Sequence, residues 1–139
     1  MRHRKAGTRL GRPTDQRLAM LRELASGVIW STRIETTLAR AKAARPYLEK
    51  LVTKAVHGYR LDQEAAKVTD EAARVQLRAD SVHLRRLVRA KLGDPRLVKH
   101  LFDQVAPHYV DRPGGYTRII RTGFRRGDGA ETAILEFVG

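Results

Sequence analysis

Apolar residues recur at three- and four-residue intervals in the first half of the chain, the spacing of an amphipathic helix. One such stripe predicts a helix over residues 14–29, directly after Pro13. A second stripe, residues 48–56, predicts another helix. We expect this second helix to have a kink or break at Pro46, because proline has no N–H to donate inside a helix. We expect it to stop at residues 57–58, where a glycine follows a histidine.

The same spacing predicts two more helices after residue 80. Ser81 has the side chain of an N-cap, and the helix that it would begin ends at Gly93. The Asp-Pro pair at residues 94–95 is a start signal for a further helix, whose apolar positions extend to Pro107. Residues 58–80 are rich in good helix formers but poor in large apolar side chains, which indicates an exposed helical insertion.

Three other segments are typical of strands. Residues 33–38 alternate between the two sides of a strand, whereas residues 116–124 and 132–138 are rich in β-branched and aromatic side chains. The Gly-Asp-Gly at residues 127–129 makes the last two segments a β-hairpin. We therefore predict an α+β fold: a single domain, residues 13–139, with several helices packed on one face of a small sheet of about three strands, mixed or antiparallel.

The charge of the chain indicates its class of partner. Its 139 residues include 28 Lys and Arg against 15 Asp and Glu, a net charge of +13, which predicts a polyanionic partner. The excess is uneven: residues 1–60 carry +10, residues 61–81 carry −2 and residues 82–139 carry +5. Arginine outnumbers lysine 21 to 7, which suits bidentate phosphate contacts but is also typical of a GC-rich genome, so the ratio alone decides nothing.

Several function classes lack their residues. There is no cysteine, the five histidines form no metal-binding pair, and the few serines have no nucleophile turn around them. We expect no enzymatic activity, no cofactor or metal, and no small-molecule substrate. No apolar run is long enough for a membrane span, and the basic N-terminus lacks the apolar stretch of a secretory signal, so we expect no membrane contact and a cytoplasmic location.

The first twelve residues form a basic extension. They contain five Lys and Arg, one His and two Gly, with no acidic residue, so we expect them to be disordered in isolation and to order on phosphate. A solubilising or purification-type tail is the alternative. Ordering twelve residues costs on the order of 12–24 kcal/mol of backbone entropy. Folded RNA, whose crevices surround such a segment, offsets that cost more readily than the outside of a DNA duplex.

A second basic element follows the glycine pair at residues 114–115. Tyr116 leads into a strand with arginines at 118, 121, 125 and 126, which predicts a flat basic surface along a sugar-phosphate backbone. The alternative is an edge strand protected by charge. A different class of function also stays open, namely a helix-turn-helix DNA-binding protein that uses residues 84–105 and reads a groove with Arg85, Arg86 and Arg89.

Three phrases together resemble one known family. They are the opening MRHRKAGTRLGRPTDQRLAMLRELA, the segment RIETTLARAK at residues 33–42, and GGYTRI at residues 114–119. In this order they resemble bacterial large-subunit ribosomal protein seventeen, with a departure at residues 58–80, which are longer than in compact members. The resemblance implies an α+β structural protein with no catalytic role. It also implies that the basic extension lies on 23S rRNA near the outer end of the polypeptide exit tunnel, among neighbouring ribosomal proteins.

The candidate RNA-binding residues combine this resemblance with the residue-level reasoning. The resemblance carries over six residues of the extension, four of the second phrase, and Tyr116 with Arg118. The extension would neutralise phosphates, the threonine hydroxyls would reach phosphate or 2′-hydroxyl oxygens, and Tyr116 would stack or pack. For Thr36, a half-buried strand position is an equal alternative. The complete set is Arg2, His3, Arg4, Lys5, Arg9, Arg12, Arg17, Arg33, Thr36, Thr37, Lys42, Gly115, Tyr116, Arg118, Arg121 and Arg125.

Overall fold

The computed structural model of the chain describes residue 3 and residues 7–139. This part of the chain contains four helices and three strands, and two short helical turns follow the fourth helix. In chain order the elements are α1 (Thr14–Ser31), β1 (Arg33–Thr37), α2 (Leu38–Lys67), α3 (Glu71–Leu92), α4 (Pro95–His100), a π-helical turn (Leu101–Val105), a 3-10 turn (Ala106–Tyr109), β2 (Thr117–Phe124) and β3 (Glu131–Phe137).

The three strands form one antiparallel sheet in the order β1-β3-β2. This confirms the predicted α+β class, the hairpin and the strand near Arg33, and it decides between a mixed and an antiparallel sheet. Thr37 lies opposite Thr132, and Phe124 lies opposite Glu131, so β1 and β2 end where β3 begins. Helix α2 starts at this same edge, directly after Thr37. We call this edge the α2 end of the sheet.

The hydrophobic core lies between α2 and the central strand β3. Along α2, side chains at three- and four-residue spacing are buried, and Leu135 of β3 is fully buried among them. Helix α1 contributes Val28 and Ile29, and the turns after α4 contribute Leu101 and Phe102. Each of these large side chains contributes about 1.5–3 kcal/mol by its burial, so the apolar stripes read in the sequence are the face that holds the domain together.

Helix α2 is longer than predicted, because tertiary packing overrides two local stop signals. It continues through Pro46, whose missing N–H and ring cost about 3 kcal/mol inside a helix. Buried Ala44 and Leu48 on either side of the proline offset that cost. Gly58 is no stop either: a Cβ built there lies 2.6 Å from Cε1 of Phe102, so the glycine allows close packing. The predicted break at Pro46 and stop at residues 57–58 are therefore wrong.

Residues 58–80 form the end of α2, a three-residue turn and the first part of α3, and most of their side chains are exposed. Ser81 is not an N-cap as predicted. It lies inside α3, is buried, and its hydroxyl donates a 3.2 Å hydrogen bond to the Gly58 carbonyl. Asp70 caps α3 instead, accepting from the Ala73 N–H at 3.4 Å. The predicted end at Gly93 and the restart at residues 94–95 are confirmed, and the Asp94 carboxylate accepts from the Arg96 N–H at 2.8 Å.

Candidate nucleic-acid interface

The N-terminal extension, the start of α2 and the β2–β3 turn meet at the α2 end of the sheet. Together they line a groove of about 590 Å³. The extension contributes Thr8 and Leu10, and α2 contributes Arg40 and Lys42. The turn contributes Arg125, Asp128, Ala130 and Glu131. Segments more than 80 residues apart in sequence thus form one concave surface, and three of its side chains are cationic.

The N-terminus of α2 leaves its positive end uncompensated. Thr37, the N-cap residue, makes no side-chain capping hydrogen bond, and the first turn contains no acidic residue. The first backbone N–H groups of a helix have no partner within the helix, and the aligned peptide dipoles favour an anion there. Arg40 and Lys42 add two full charges to this partial charge, and neither forms an ion pair with a described residue. The position therefore suits a phosphate group.

The described part of the extension contains a reverse turn, and Leu10 within this turn lines the groove. The Arg12 N–H donates to the Arg9 carbonyl at 3.1 Å, and the two central residues, Leu10 and Gly11, both have positive φ, 55° and 64°. Leu10 is partly buried in the groove. The expectation that the extension is disordered in isolation and orders on phosphate stays a prediction. Arg9 and Arg12 are exposed and form no ion pair with described residues.

Four further basic residues were predicted in the extension, and a fifth, Arg17, lies just after it. Arg2, Arg4 and Lys5 lie outside the described residues, and His3 is exposed. Arg17 is half-exposed near the start of α1 and does not line the groove. Thr36 and Thr37 are both half-buried and lie at the α2 end of the sheet.

Arg125 holds the β2–β3 turn in shape. Its Nε donates to Asp128 Oδ1 at 2.9 Å, and its Nη2 donates to Asp128 Oδ2 at 2.5 Å. These hydrogen bonds hold the pKa of the Asp128 carboxyl well below its usual range and raise the pKa of Arg125. A guanidinium has five N–H donors. Since the pair uses only part of them and Arg125 is 56% exposed, this arginine can also donate to a phosphate.

Two residues that line this end of the sheet were missed in the sequence. Arg40 lies in the first turn of α2, and Phe124 is the last residue of β2, with 75% of its surface exposed. Both border a second depression, of about 560 Å³. Its other lining residues are Glu35, Thr36, Thr37, Thr122, Arg125 and Thr132. The sequence signal at this point was Gly123, directly before Phe124, because a glycine inside a strand often marks a bulge. In the structure Gly123 has φ 132° and follows a bulge at Thr122.

The predicted flat basic surface on β2 does not form. The pairing is regular between Arg118 and Arg121, and these two residues are three positions apart. Their side chains therefore lie on opposite faces of the strand. Each is also paired with a carboxylate, Arg118 with Glu136 at 2.6 Å and Arg121 with Glu131 at 3.3 Å. Arg33 lies opposite Glu136 as well, about 13 Å along β1 from the α2 end. These arginines support the charge-protected edge that was the alternative reading.

The GGYTR segment has an internal role. Tyr116 is only 3% exposed, and its ring packs edge-on against Tyr109 at 5.3 Å. The Tyr116 and Thr117 N–H groups donate to the Glu49 carboxylate of α2 at 3.4 and 3.0 Å, and the Thr117 hydroxyl donates to it at 2.6 Å. Of the two roles expected for Tyr116, stacking or packing, the structure shows packing. Gly115, at φ 64°, supports the bend before it.

Helices α3 and α4 do not offer the three arginines of a helix-turn-helix. Arg85 contacts Asp62 at 3.2 Å and Asp103 at 3.5 Å, and its guanidinium lies 4.5 Å from the centroid of the Phe102 ring. It is therefore engaged within the domain. Arg86 and Arg89 are exposed on α3. Since Arg85, one of the three arginines that would read a DNA groove, already pairs with carboxylates of the domain, this surface fits a helix-turn-helix DNA-binding protein poorly.

Two further observations concern sites of other kinds. Among residue 3 and residues 7–139, no group of three or more His, Asp or Glu side chains is arranged to hold a metal ion. In the same part of the chain, no helix combines the length and the apolar character needed to cross a membrane.

Comparison with known proteins identifies the family. The family model of ribosomal protein L17 matches residues 20–138. The chain belongs to this family. Large ribosomal subunit protein bL17 of Thermomicrobium roseum is 47% identical over 138 residues, which cover 99% of each chain. The protein of that name from Acidobacterium capsulatum is 45% identical over 100% of this chain and 73% of its own, and that from Thermotoga maritima is 44% identical over 99% and 95%.

Membership of the ribosomal protein L17 family confirms the resemblance that the three phrases indicated. It also confirms the prediction of a bacterial protein with a structural, non-enzymatic function. The match begins before β1 and ends after β3, so it includes the whole sheet and three of the elements around the groove: α2, the β2–β3 turn and the end of β1.

Proposed function

We propose that this chain is a structural constituent of the bacterial large ribosomal subunit and functions in the cytoplasm as part of the ribosome. Family membership supports the proposal, because relatives at 42–47% identity bear the name of a large ribosomal subunit protein. The charge supports it independently, since a net charge of +13 on 139 residues favours association with a polyanion such as RNA.

Within this function, the α2 end of the sheet binds 23S rRNA by phosphate neutralisation and by shape. The observation that carries the proposal is that Arg40 and Lys42, which form no ion pair with a described residue, line a groove at an uncapped helix N-terminus. Exposed Arg9 and Arg12 flank Leu10, another lining residue of the groove, in the sequence. The cations of β2, in contrast, are neutralised by carboxylates of the same sheet. Arg125 joins the interface through its remaining donors, and Arg2, His3, Arg4 and Lys5 extend it along the RNA.

The salt dependence of binding follows from these four cations. Each phosphate contact contributes about −0.7 to −0.9 to the slope of log K against log salt concentration, so four contribute about −3 to −3.6. Raising the salt concentration from 50 to 200 mM then weakens binding roughly 50- to 150-fold through these residues alone.

The proposed position in the subunit is near the outer end of the polypeptide exit tunnel, beside neighbouring large-subunit proteins. This position rests on the family resemblance. Its test is a density map of assembled subunits from the source bacterium. Density for the α2 end against rRNA at the tunnel exit supports the position, and density for the chain elsewhere in the subunit overturns it.

The experiment for the interface compares two double variants that remove the same charge. Arg40→Ala/Lys42→Ala alters the groove, and Arg86→Ala/Arg89→Ala alters two exposed arginines of α3. Binding to 23S rRNA is measured as a function of salt, and incorporation into large subunits is measured by sedimentation after a high-salt wash. We expect the groove variant to lower the magnitude of the salt slope by about 1.4–1.8 and to reduce incorporation.

The α3 variant is the matched control and should behave like the unaltered chain. Removing Arg40 and Lys42 near the N-terminus of α2 does not weaken that helix, because positive charge is unfavourable there. Circular dichroism should therefore be unchanged in both variants. If both variants lose affinity equally, the binding is unspecific attraction and the groove is not the interface. If the α3 variant alone loses affinity, the alternative surface on α3 is the correct one.

A further inference from the structure

Phe124 is exposed to an extent that folding does not explain. It retains 75% of its accessible surface, more than any other large apolar side chain that the structure describes. A phenylalanine left in water forgoes the favourable free energy that its burial would give. Since single exposed apolar side chains are common on protein surfaces, it is the position of this ring and the residues around it that indicate a partner.

The ring is held on a rigid part of the hairpin. Phe124 pairs with Glu131 at the end of the β2–β3 ladder, and the next residue continues the pairing, with the Arg125 N–H donating to the Ala130 carbonyl at 2.9 Å. The bulge at Thr122, just before the ring, is fixed by side chains: the Thr122 hydroxyl donates to Glu35 at 3.2 Å and shares a hydrogen bond with the Thr132 hydroxyl at 2.7 Å. A ring on this support loses little conformational freedom when it binds.

The surroundings of the ring are polar and cationic. Arg40 and Arg125 border the same depression, and the other lining side chains are threonines and Glu35. A protein partner would require a contiguous apolar area at the centre of its contact. Here a single aromatic ring stands among hydroxyl groups and guanidinium groups, which is the combination that binds single-stranded nucleic acid.

We propose that Phe124 is a stacking platform for one unpaired base of RNA, with the adjoining phosphate bound by Arg40 and Arg125. The inference rests on the proposed rRNA binding and adds a site for a single-stranded nucleotide to it. Every base offers a π-face to an aromatic ring, and RNA-binding proteins use such rings for bases that are splayed out of a helix. The nucleotide lies beside the groove, so one RNA segment reaches both.

Glu35 orients the nucleotide in this site. Its carboxylate repels a phosphate, so the phosphate lies on the side of the two arginines. The base edge lies on the side of Glu35, where a carboxylate oxygen can accept from an N–H group of the base. Glu35 Oε1 already accepts a hydrogen bond from the Thr122 hydroxyl, so the other carboxylate oxygen is the acceptor for the base. Threonine hydroxyls also line the depression, and a hydroxyl can form a hydrogen bond with a ribose 2′-hydroxyl, which DNA lacks.

The test compares Phe124→Leu with Phe124→Tyr in the full chain. Leucine keeps an apolar side chain of similar size but has no π-face, whereas tyrosine keeps the π-face. Affinity for 23S rRNA is measured, and the rRNA in assembled subunits is probed chemically for the accessibility of unpaired bases. We expect Phe124→Leu to lower affinity about 5- to 100-fold and to expose one base or a few neighbouring bases. Phe124→Tyr should stay within a few-fold of the unaltered chain.

A photo-crosslinking amino acid at position 124 identifies the partner directly, and a crosslink to rRNA supports the inference. A crosslink to a protein overturns it, as does a Phe124→Leu variant with unchanged affinity and an unchanged probing pattern. The proposed function fails in a different way, namely if the unaltered chain neither binds 23S rRNA nor sediments with the large subunit. Since the ring is exposed, circular dichroism should show both variants folded, and loss of the spectrum in Phe124→Leu alone assigns the ring a role in folding and overturns the inference.

Discussion

Replacing Gly58 by alanine tests the packing of α2 against the rest of the core. A Cβ at this position would lie 2.6 Å from Cε1 and 3.4 Å from Cδ1 of Phe102, whereas carbon atoms in contact are about 3.5–4.0 Å apart. The Phe102 ring is fully buried, and the guanidinium of Arg85 lies 4.5 Å from its centroid, so the ring cannot move away freely.

The magnitude follows from two opposed terms. Forcing an extra methyl group into a packed core costs about 1–3 kcal/mol, and alanine gains about 1 kcal/mol over glycine in helix propensity. Because the ring is confined, we expect the upper part of the first range and a net loss of about 1–2 kcal/mol in the free energy of unfolding. Urea denaturation followed by far-ultraviolet circular dichroism measures it.

The double variant Gly58→Ala/Phe102→Leu provides the control. Leucine lacks the ring atoms that the new methyl group would meet, so the two substitutions should be non-additive, with a coupling free energy of about 1 kcal/mol in favour of the pair. A Gly58→Ala chain that is as stable as the unaltered one, or more stable, refutes the close packing. Strict additivity in the double variant assigns the loss to something other than Phe102.

Two further predictions concern the fold and the extension. Glu49→Ala leaves the N–H and the hydroxyl of buried Thr117 without their acceptor and should lower the free energy of unfolding by about 2–4 kcal/mol. Glu49→Gln keeps an acceptor oxygen and should lower it by about 1 kcal/mol. Equal losses of the two variants in urea titrations would show that the hydrogen bonds to Thr117 are unimportant. Deleting residues 2–12 should leave the far-ultraviolet circular dichroism spectrum nearly unchanged, since only Leu10 of the described extension is partly buried. The same deletion should sharply reduce incorporation into the large subunit. Full incorporation of the shortened chain would contradict the role of the extension.

The parts of the fold that were predictable are those specified by residues close in sequence. The Asp-Pro pair at residues 94–95 starts a helix because its own carboxylate accepts from the Arg96 N–H, and no distant residue is needed for that. The Gly-Asp-Gly turn is likewise local, with Asp128 accepting from the Ala130 N–H. Periodicity identified the buried faces for the same reason, since one stripe of apolar residues defines one side of a helix.

The errors occur where a distant residue changes the meaning of a local signal. Gly58, read as a stop, is a point of close contact with Phe102, and Ser81, read as a cap, donates to the Gly58 carbonyl from within α3. The first contact joins α2 to the turn after α4, and the second joins α2 to α3 across 23 positions in the sequence. No local pattern distinguishes a glycine that ends a helix from one that lets a ring approach it.

The candidate site was predictable as a composition but not as a surface. The excess of arginine predicts a polyanionic partner, but the sheet register decides which arginines are available to bind it. Arg118 lies beside Glu136 because β2 and β3 are paired in one particular register, and a carboxylate 18 residues away neutralises it. Phe124 was missed because the bulge at Thr122 shifts the end of β2 relative to the alternation that precedes it.

The distribution of paired and unpaired cations separates stability from binding in this protein. Arg118 and Arg121 of the hairpin pair with carboxylates on an exposed surface, where each pair contributes about 0–1 kcal/mol, so salt that screens them costs the fold little. The core, from Ile29 to Leu135, is apolar and does not depend on them. Arg40 and Lys42 of the groove form no ion pair with a described residue, and their interaction free energy is therefore available to an external phosphate. Salt consequently acts on the groove and leaves the fold intact, which is why a high-salt wash can report on the interface alone.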